Sequence, residues 1–191
     1  MKKIIYLQRI GDIDPAILII LKKELKGFFK KFGFKIVNLP NSLPLLESEY
    51  NIDDRDYDAI KLKKRITKIL KKKNKGYYRV IGVLDVDIFS KKLKHIFGVA
   101  DMPKSNRFGI GFISVTRLRE KFYGRAENIL LFKRRMTKEA IHELGHTFGL
   151  DHCTNDCVMK FSKAIDNADQ KPSKFCEDCA NRMDILINSF D

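Results

Sequence analysis

The chain reads as an α/β (α+β) protein: a twisted mixed sheet of about five strands, a backing helix, a histidine-bearing helix and a small C-terminal subdomain. Three observations carry that reading. Short Ile- and Val-rich runs alternate with longer stretches whose apolar residues recur at threes and fours, the order strand, helix, strand. Tyr77 to Ile88 is almost continuously apolar, as a central strand covered on both faces would be. Beyond Gly149 the periodicity fades and four cysteines fall within the last quarter. A chain of 191 residues is one domain by length. Within it, 1–149 forms an upper subdomain with the sheet, and 150–191 a lower one.

Lys3 to Ile10 is the first strand, closed by Gly11, and Asp14-Pro15 opens a helix with a capping side chain and a first-turn proline. That helix runs to about Phe32. Its stripe of Ile17, Leu18, Leu21, Leu25, Phe28, Phe29 and Phe32 makes it the backing helix of the sheet. Gly33 ends it, Phe34 to Leu39 is a second strand, and Pro40 to Pro44 turns the chain. Leu45 to Asp54 shows no period and is expected to be irregular. Asp56 to Lys73 predicts a second helix, with Ala59, Ile60, Leu62, Ile66, Ile69 and Leu70 inside and a dense basic face outside. Tyr77 to Ile88 follows as the central strand, and its Asp85 and Asp87 are expected to anchor loops. Phe97 to Met102 and Arg107 to Leu118 pair as an antiparallel hairpin across a turn containing Pro103. Thr137 is the expected cap of a helix over TKEAIHELGHTFG, and a final helix runs from about Glu177 to Phe190 with Met183, Ile185, Leu186 and Ile187.

The most specific stretch is HELGHTFGLDH, His142 to His152, which holds three of the four histidines. On a helix, His142 and His146 share one face, so two imidazole nitrogens can converge on one metal at about 2.0 to 2.1 Å. Glu143 stands beside that pair, an offset suited to a general base acting on water. Gly149 can end the helix in a left-handed turn, which lets His152 return as a third ligand. Three imidazoles leave the fourth tetrahedral position open, as in a catalytic zinc site. Cys153, Cys157, Cys176 and Cys179 form two close pairs around this motif and read as a closed, structural zinc site rather than as two disulfides.

HExxHxxGxxH followed by a methionine is the metzincin signature of zinc peptidases. With Cys153 directly after the third histidine, then Cys157, Met159 and the CxxC at Cys176 and Cys179, the sequence resembles the archaemetzincins. Weaker similarity extends through Val83 to Phe89, the Phe97-Gly98 turn and Phe112 to Leu118. Two spacings depart from the family pattern. Three residues rather than four separate Cys153 from Cys157, and sixteen rather than seventeen separate Met159 from Cys176. The resemblance implies a metzincin-like fold with Met159 beneath the catalytic metal. It also implies an antiparallel edge strand, here Ile96 to Asp101, along which a substrate peptide is bound.

The function implied is a zinc-dependent metallopeptidase (hydrolase), using a zinc-activated water with Glu143 as general base and two Zn2+ per chain. Two other classes share these motifs: a catalytically silent zinc-binding module contacting nucleic acid or protein, and a zinc amidohydrolase acting on a non-peptide amide. Glu143 argues against the first, since a binding-only site needs no base. Lysine and arginine outnumber aspartate and glutamate by 38 to 24, a formal charge of +14. That excess is spread along the chain and fits solvated lysines of a heat-adapted microbial protein better than a nucleic-acid surface. No signal-peptide core or membrane-length apolar run is present. The expectation is a cytoplasmic monomer whose partner is a peptide or protein substrate.

Overall fold

The computed structural model describes residues 3–73, 79–90, 93–102 and 108–189. β1 (Ile4–Ile10) leads into α1 (Pro15–Phe29), where the Asp14 carboxylate accepts the Ala16 N–H at 2.8 Å. A 3-10 turn over Lys30–Phe32 extends the helix until Gly33, at φ 78°, lets the chain reverse into β2 (Lys35–Asn38). β3 (Tyr50–Asn51), β4 (Asp56–Asp58), α2 (Ala59–Lys73), β5 (Arg79–Leu84), β6 (Ile88–Phe89), β7 (Gly98–Ala100) and β8 (Gly109–Ser114) follow. The chain ends with α3 (Ile129–Phe148), α4 (Ile165–Gln170) and α5 (Glu177–Asn188).

The main sheet has five strands in the order β2-β1-β5-β8-β7. All neighbours are parallel except β7, which runs antiparallel to β8 at the edge. Every residue of β5 and β8 is buried, because the sheet is covered on both faces. One face carries α1, α3 and the C-terminal residues around Met159, Phe175 and Met183. On the other lie Leu62, Ile66 and Leu70 of α2 against Val80, Ile110 and Phe112. The mixed, two-sided sheet expected from the sequence is thus observed, with β7 inside the segment expected to form its antiparallel edge.

Several boundaries differ from expectation. α2 begins at Ala59 rather than Asp56, because Asp56–Asp58 pairs with β3 and β6 in a small second sheet. Asp58 caps the helix by accepting the N–H groups of Ile60 and Lys61 at 2.9 and 3.1 Å. Ile60, expected inside, is exposed, and so is Ile185 on α5. The irregular segment expected over 45–54 contains a 3-10 turn at Glu47–Glu49 and β3. The central strand is shorter than expected, and Ile88 belongs to β6 of the small sheet. Tyr77 and Tyr78, the Pro103 turn with Arg107, and Phe190 lie outside the described residues. Asp85 and Asp87 anchor loops as expected: Asp85 accepts from Thr116 at 3.0 Å and Arg119 at 2.7 Å, and Asp87 takes a two-point bond from Arg117.

The histidine helix corrects the sequence reading most. It starts at Ile129, two turns before Thr137, and its cap is Asn128, whose side chain accepts the Leu131 N–H at 3.0 Å. Thr137 lies mid-helix and turns its hydroxyl back to Lys133 O at 2.8 Å. The charged run Lys133-Arg134-Arg135 hid this extension, since Arg135 is buried by pairing rather than by apolarity. Its guanidinium holds Asp169 at 2.7 and 2.6 Å and Glu120 at 2.6 Å, which ties α4 to α3.

Candidate active site and metal centres

The last turns of α3 bury His142 and Glu143 and bring His146 to the cleft surface. Gly149, at φ 100°, donates to His146 O at 2.9 Å, and Leu150 N–H returns to Gly145 O at 3.0 Å. This left-handed stop reverses the chain and carries His152 over the helix. The ring centroids of the three histidines lie 4.6, 5.3 and 4.8 Å apart.

Their hydrogen bonds fix what the rings can do. His142 Nδ1 lies 2.9 Å from Val158 O, and His146 Nδ1 lies 2.7 Å from Leu150 O. A carbonyl accepts only, so each Nδ1 is assigned its proton and each Nε2 is left with a lone pair. The two Nε2 atoms then face each other at 3.1 Å. Two lone pairs hold that separation against repulsion unless a cation accepts both, and about 3.3 Å is what two nitrogens on one tetrahedral zinc would span. One donor atom from each of His142, His146 and His152 lies within 4.8 Å of the others. The donor set therefore fits zinc. Burial holds the imidazoles in the neutral, ligating form, lowering His142 to about 2.

Glu143 sits between that cluster and the sheet. A Cβ on Gly98 of β7 would lie 2.5 Å from Glu143 Oε1, and one on Gly111 of β8 would lie 3.1 Å from Glu143 Cβ. Bare backbone at both strands makes the slot that holds the carboxylate. Among the described residues Oε2 of Glu143 is buried and has no hydrogen-bond partner. Burial, then the neighbouring Glu139, raises its proton affinity well above that of an ordinary carboxyl, while Lys171 and Lys63 oppose the rise.

Met159 lies fully buried against the helix, where a Cβ on Gly145 would overlap its sulfur. Its carbonyl accepts the Cys153 N–H at 3.0 Å, so the methionine and the cysteine segment are locked together. The four cysteines converge as well. Their sulfurs lie within 4.8 Å of one another, with Cys153 and Cys176 3.7 Å apart, too far for a disulfide and close to the roughly 3.8 Å edge of a four-thiolate zinc tetrahedron. Cys157 belongs to the cluster despite its shortened spacing. Its sulfur accepts the N–H groups of Met159 and Cys176 at 3.4 and 3.3 Å.

A cleft of about 330 Å³ runs past the three histidines and Glu143, between β7 on one side and Asp151, Phe161 and Lys163 on the other. Sequence reading missed several of its groups. Glu139 lies on its floor and is paired with buried Lys171 at 2.8 Å, and His95, the fourth histidine, stands at one end beside Arg117. A carboxylate one helical turn before Glu143 was the available signal for Glu139. Lys171 and His95 reach the site only through tertiary folding.

A five-stranded sheet with an antiparallel edge, standing over a helix that ends in HExxHxxGxxH above a buried methionine, places the chain among the zinc-dependent metallopeptidases. The model of Peptidase family M54 matches residues 39–185, and the chain belongs to that family. It is similar to the archaemetzincin of Pyrococcus furiosus, 35% identical over 96% of this chain and 94% of that one. The archaemetzincin of Methanocaldococcus jannaschii is 36% identical over 94% and 92%. The crystal structure of the Archaeoglobus fulgidus archaemetzincin, complexed with malonate, superposes with a TM-score of 0.73 at 28% identity, over 94% and 99% of the two chains. That from Methanopyrus kandleri gives 0.74 at 26%, over 97% and 95%.

Proposed function

We propose that His142, His146 and His152 hold a catalytic zinc ion, that Cys153, Cys157, Cys176 and Cys179 hold a second, structural one, and that Glu143 is the general base of peptide-bond hydrolysis. One observation carries this reading: two imidazoles with their tautomers fixed converge beside a buried carboxylate oxygen that has no hydrogen-bond partner among the described residues. The catalytic zinc, when bound, supplies Lewis acidity toward the scissile carbonyl and the attacking water. Glu143 takes a proton from that water on its cleft-facing carboxylate and delivers it to the departing amide nitrogen. Its raised basicity suits both transfers. Val158 O and Leu150 O keep two imidazoles in the ligating tautomer, and Met159 packs beneath the helix that presents them.

The substrate peptide lies along the edge of β7 as an added strand. Cleft walls drawn from 95–102 above and 151–163 below support the division into an upper part, 1–149, and a lower part, 150–191. We further read the protein as a cytoplasmic monomer without nucleic-acid or membrane partners. Among the described residues no helix is long and apolar enough to cross a membrane. In α2, Lys63 and Arg65 are engaged by Asp101 and Glu49. Peptide-library cleavage read by mass spectrometry, with Glu143→Gln as control, tests the activity. Cleavage by the zinc-loaded protein, slower by about 10² to 10⁴ in the variant, is expected; equal cleavage by both would remove Glu143 from its role.

A further inference from the structure

β7 pairs with β8 through alternate residues only. Ser114 N–H donates to Phe97 O at 2.8 Å and Asp101 N–H to Ile110 O at 2.9 Å, and the register places Val99 opposite Phe112. In an antiparallel ladder such hydrogen-bonded pairs alternate with pairs whose polar groups point the other way. Residues 97, 99 and 101 therefore face β8. Ile96, Gly98 and Ala100 present their N–H and C=O groups outward, along the open edge that a peptide would join.

That edge is stopped at both ends. Ile96 N–H already donates to Ile88 O at 3.1 Å. At the other end the Lys63 ammonium, reaching from α2, donates to Ala100 O at 3.2 Å and is held there by Asp101 at 2.7 Å. Between the stops lies Gly98, whose outward N–H and C=O no described residue bonds, and where an added Cβ would meet the Glu143 carboxylate. An added strand would run about 4.8 Å from β7. The Lys63 ammonium already occupies the acceptor, Ala100 O, that an N–H of this strand would use.

We propose that Lys63 ends substrate pairing: one peptide residue exchanges a full pair of main-chain hydrogen bonds with Gly98, and the ammonium bars the next such pair at Ala100. This rests on the peptidase reading, in which a peptide lies along β7. Lys63 is a specificity-determining residue here, acting on how many substrate residues are bound rather than on the bond broken. Asp101 is its positioning residue. A substrate gains main-chain affinity through the residue opposite Gly98 and gains nothing from the residue opposite Ala100.

The test measures binding, so it does not depend on turnover. Blocked alanine peptides, lengthened one residue at a time at either end, are titrated against the zinc-loaded protein carrying Glu143→Gln, with and without Lys63→Met. Affinity should level off early in the parent. With Lys63→Met it should rise by a further fivefold to about thirtyfold as the residue opposite Ala100 is added, the worth of roughly one to two net hydrogen bonds. Asp101→Asn, which keeps the lysine but frees it, should give a smaller rise in the same place. A general loosening of the edge would instead weaken all lengths alike. Length profiles of the same shape in parent and variants, or no binding of any peptide, would overturn the proposal. Length-limited binding in a protein that cleaves nothing would leave Lys63 as the stop and refute the peptidase reading instead.

Discussion

Gly98→Ala offers a sharp test of the site, because one added methyl group meets the proposed base. The new Cβ would lie 2.5, 2.7 and 2.8 Å from Oε1, Cγ and Cδ of Glu143, whereas ordinary contact begins near 3.4 Å. Either the carboxylate or the edge strand must give way by about 0.9 Å. Glu143 is buried between helix and sheet, so its displacement is the expected response, and a misplacement of about 1 Å in a catalytic group costs on the order of 10² in rate. Stability should change little. The Gly→Ala exchange restricts the unfolded chain by about 0.4–1 kcal/mol in the favourable direction, and the contact opposes it. Kinetics with a cleaved peptide, zinc content and melting temperature are measured together. Gly27→Ala is the control: a Cβ there meets nothing within 4 Å, and on exposed α1 it should raise stability by up to about 1 kcal/mol, or about 2–4 °C, with activity intact. A Gly98→Ala protein with full activity would show that the position of the Glu143 carboxylate does not matter.

Glu143→Gln should retain zinc and fold while losing about 10² to 10⁴ in rate; unchanged turnover in single-substrate kinetics would exclude it as the base. Elemental analysis should give two zinc ions per chain. Cys176→Ser should lower zinc at the histidines too, since His152 and Cys153 are neighbours in sequence, whereas His142→Ala should leave the thiolate-bound zinc in place. A cysteine variant with full zinc at the histidines would show the tail to be a passive attachment. Arg135→Ala leaves Glu120 and Asp169 without their shared cation and should cost about 3 kcal/mol, a fall in melting temperature on the order of 10 °C; calorimetry showing no change would mean that α4 is held by its apolar contacts alone.

The proposed ligand set was legible because it is local. Spacing alone brings His142 and His146 to one helix face, and a left-handed glycine is a sequence-level signal for the return to His152. The main sheet was legible through the apolarity of β1, β5 and β8. What escaped notice depends on charge made permissible by distant partners. Arg135 lies before the expected start of the helix, in a charged run without apolar period, and it is buried because Asp169 and Glu120 come to it from 34 and 15 residues away. Asp56–Asp58 looked like the polar start of α2, yet a two-residue partner on either side makes it a strand. In the sequence Gly98 reads only as part of a turn with Phe97, and nothing singles out Gly111. Their purpose, room for a carboxylate, is visible only once α3 is packed against the sheet.

The order in which the parts occur along the chain sets the order in which they become available. All five strands of the main sheet and the whole of α3 precede Gly149, and the third histidine, the methionine and every thiol follow it. During synthesis, which releases the amino-terminal part first, the chain can assemble its sheet while the ribosome still holds the residues that complete either metal centre. His142, His146 and Glu143 are then in place without hydrolytic capability. On the proposed reading that capability arrives last, with the segment that also carries the four thiols, so a chain truncated before His152 is expected to be inert.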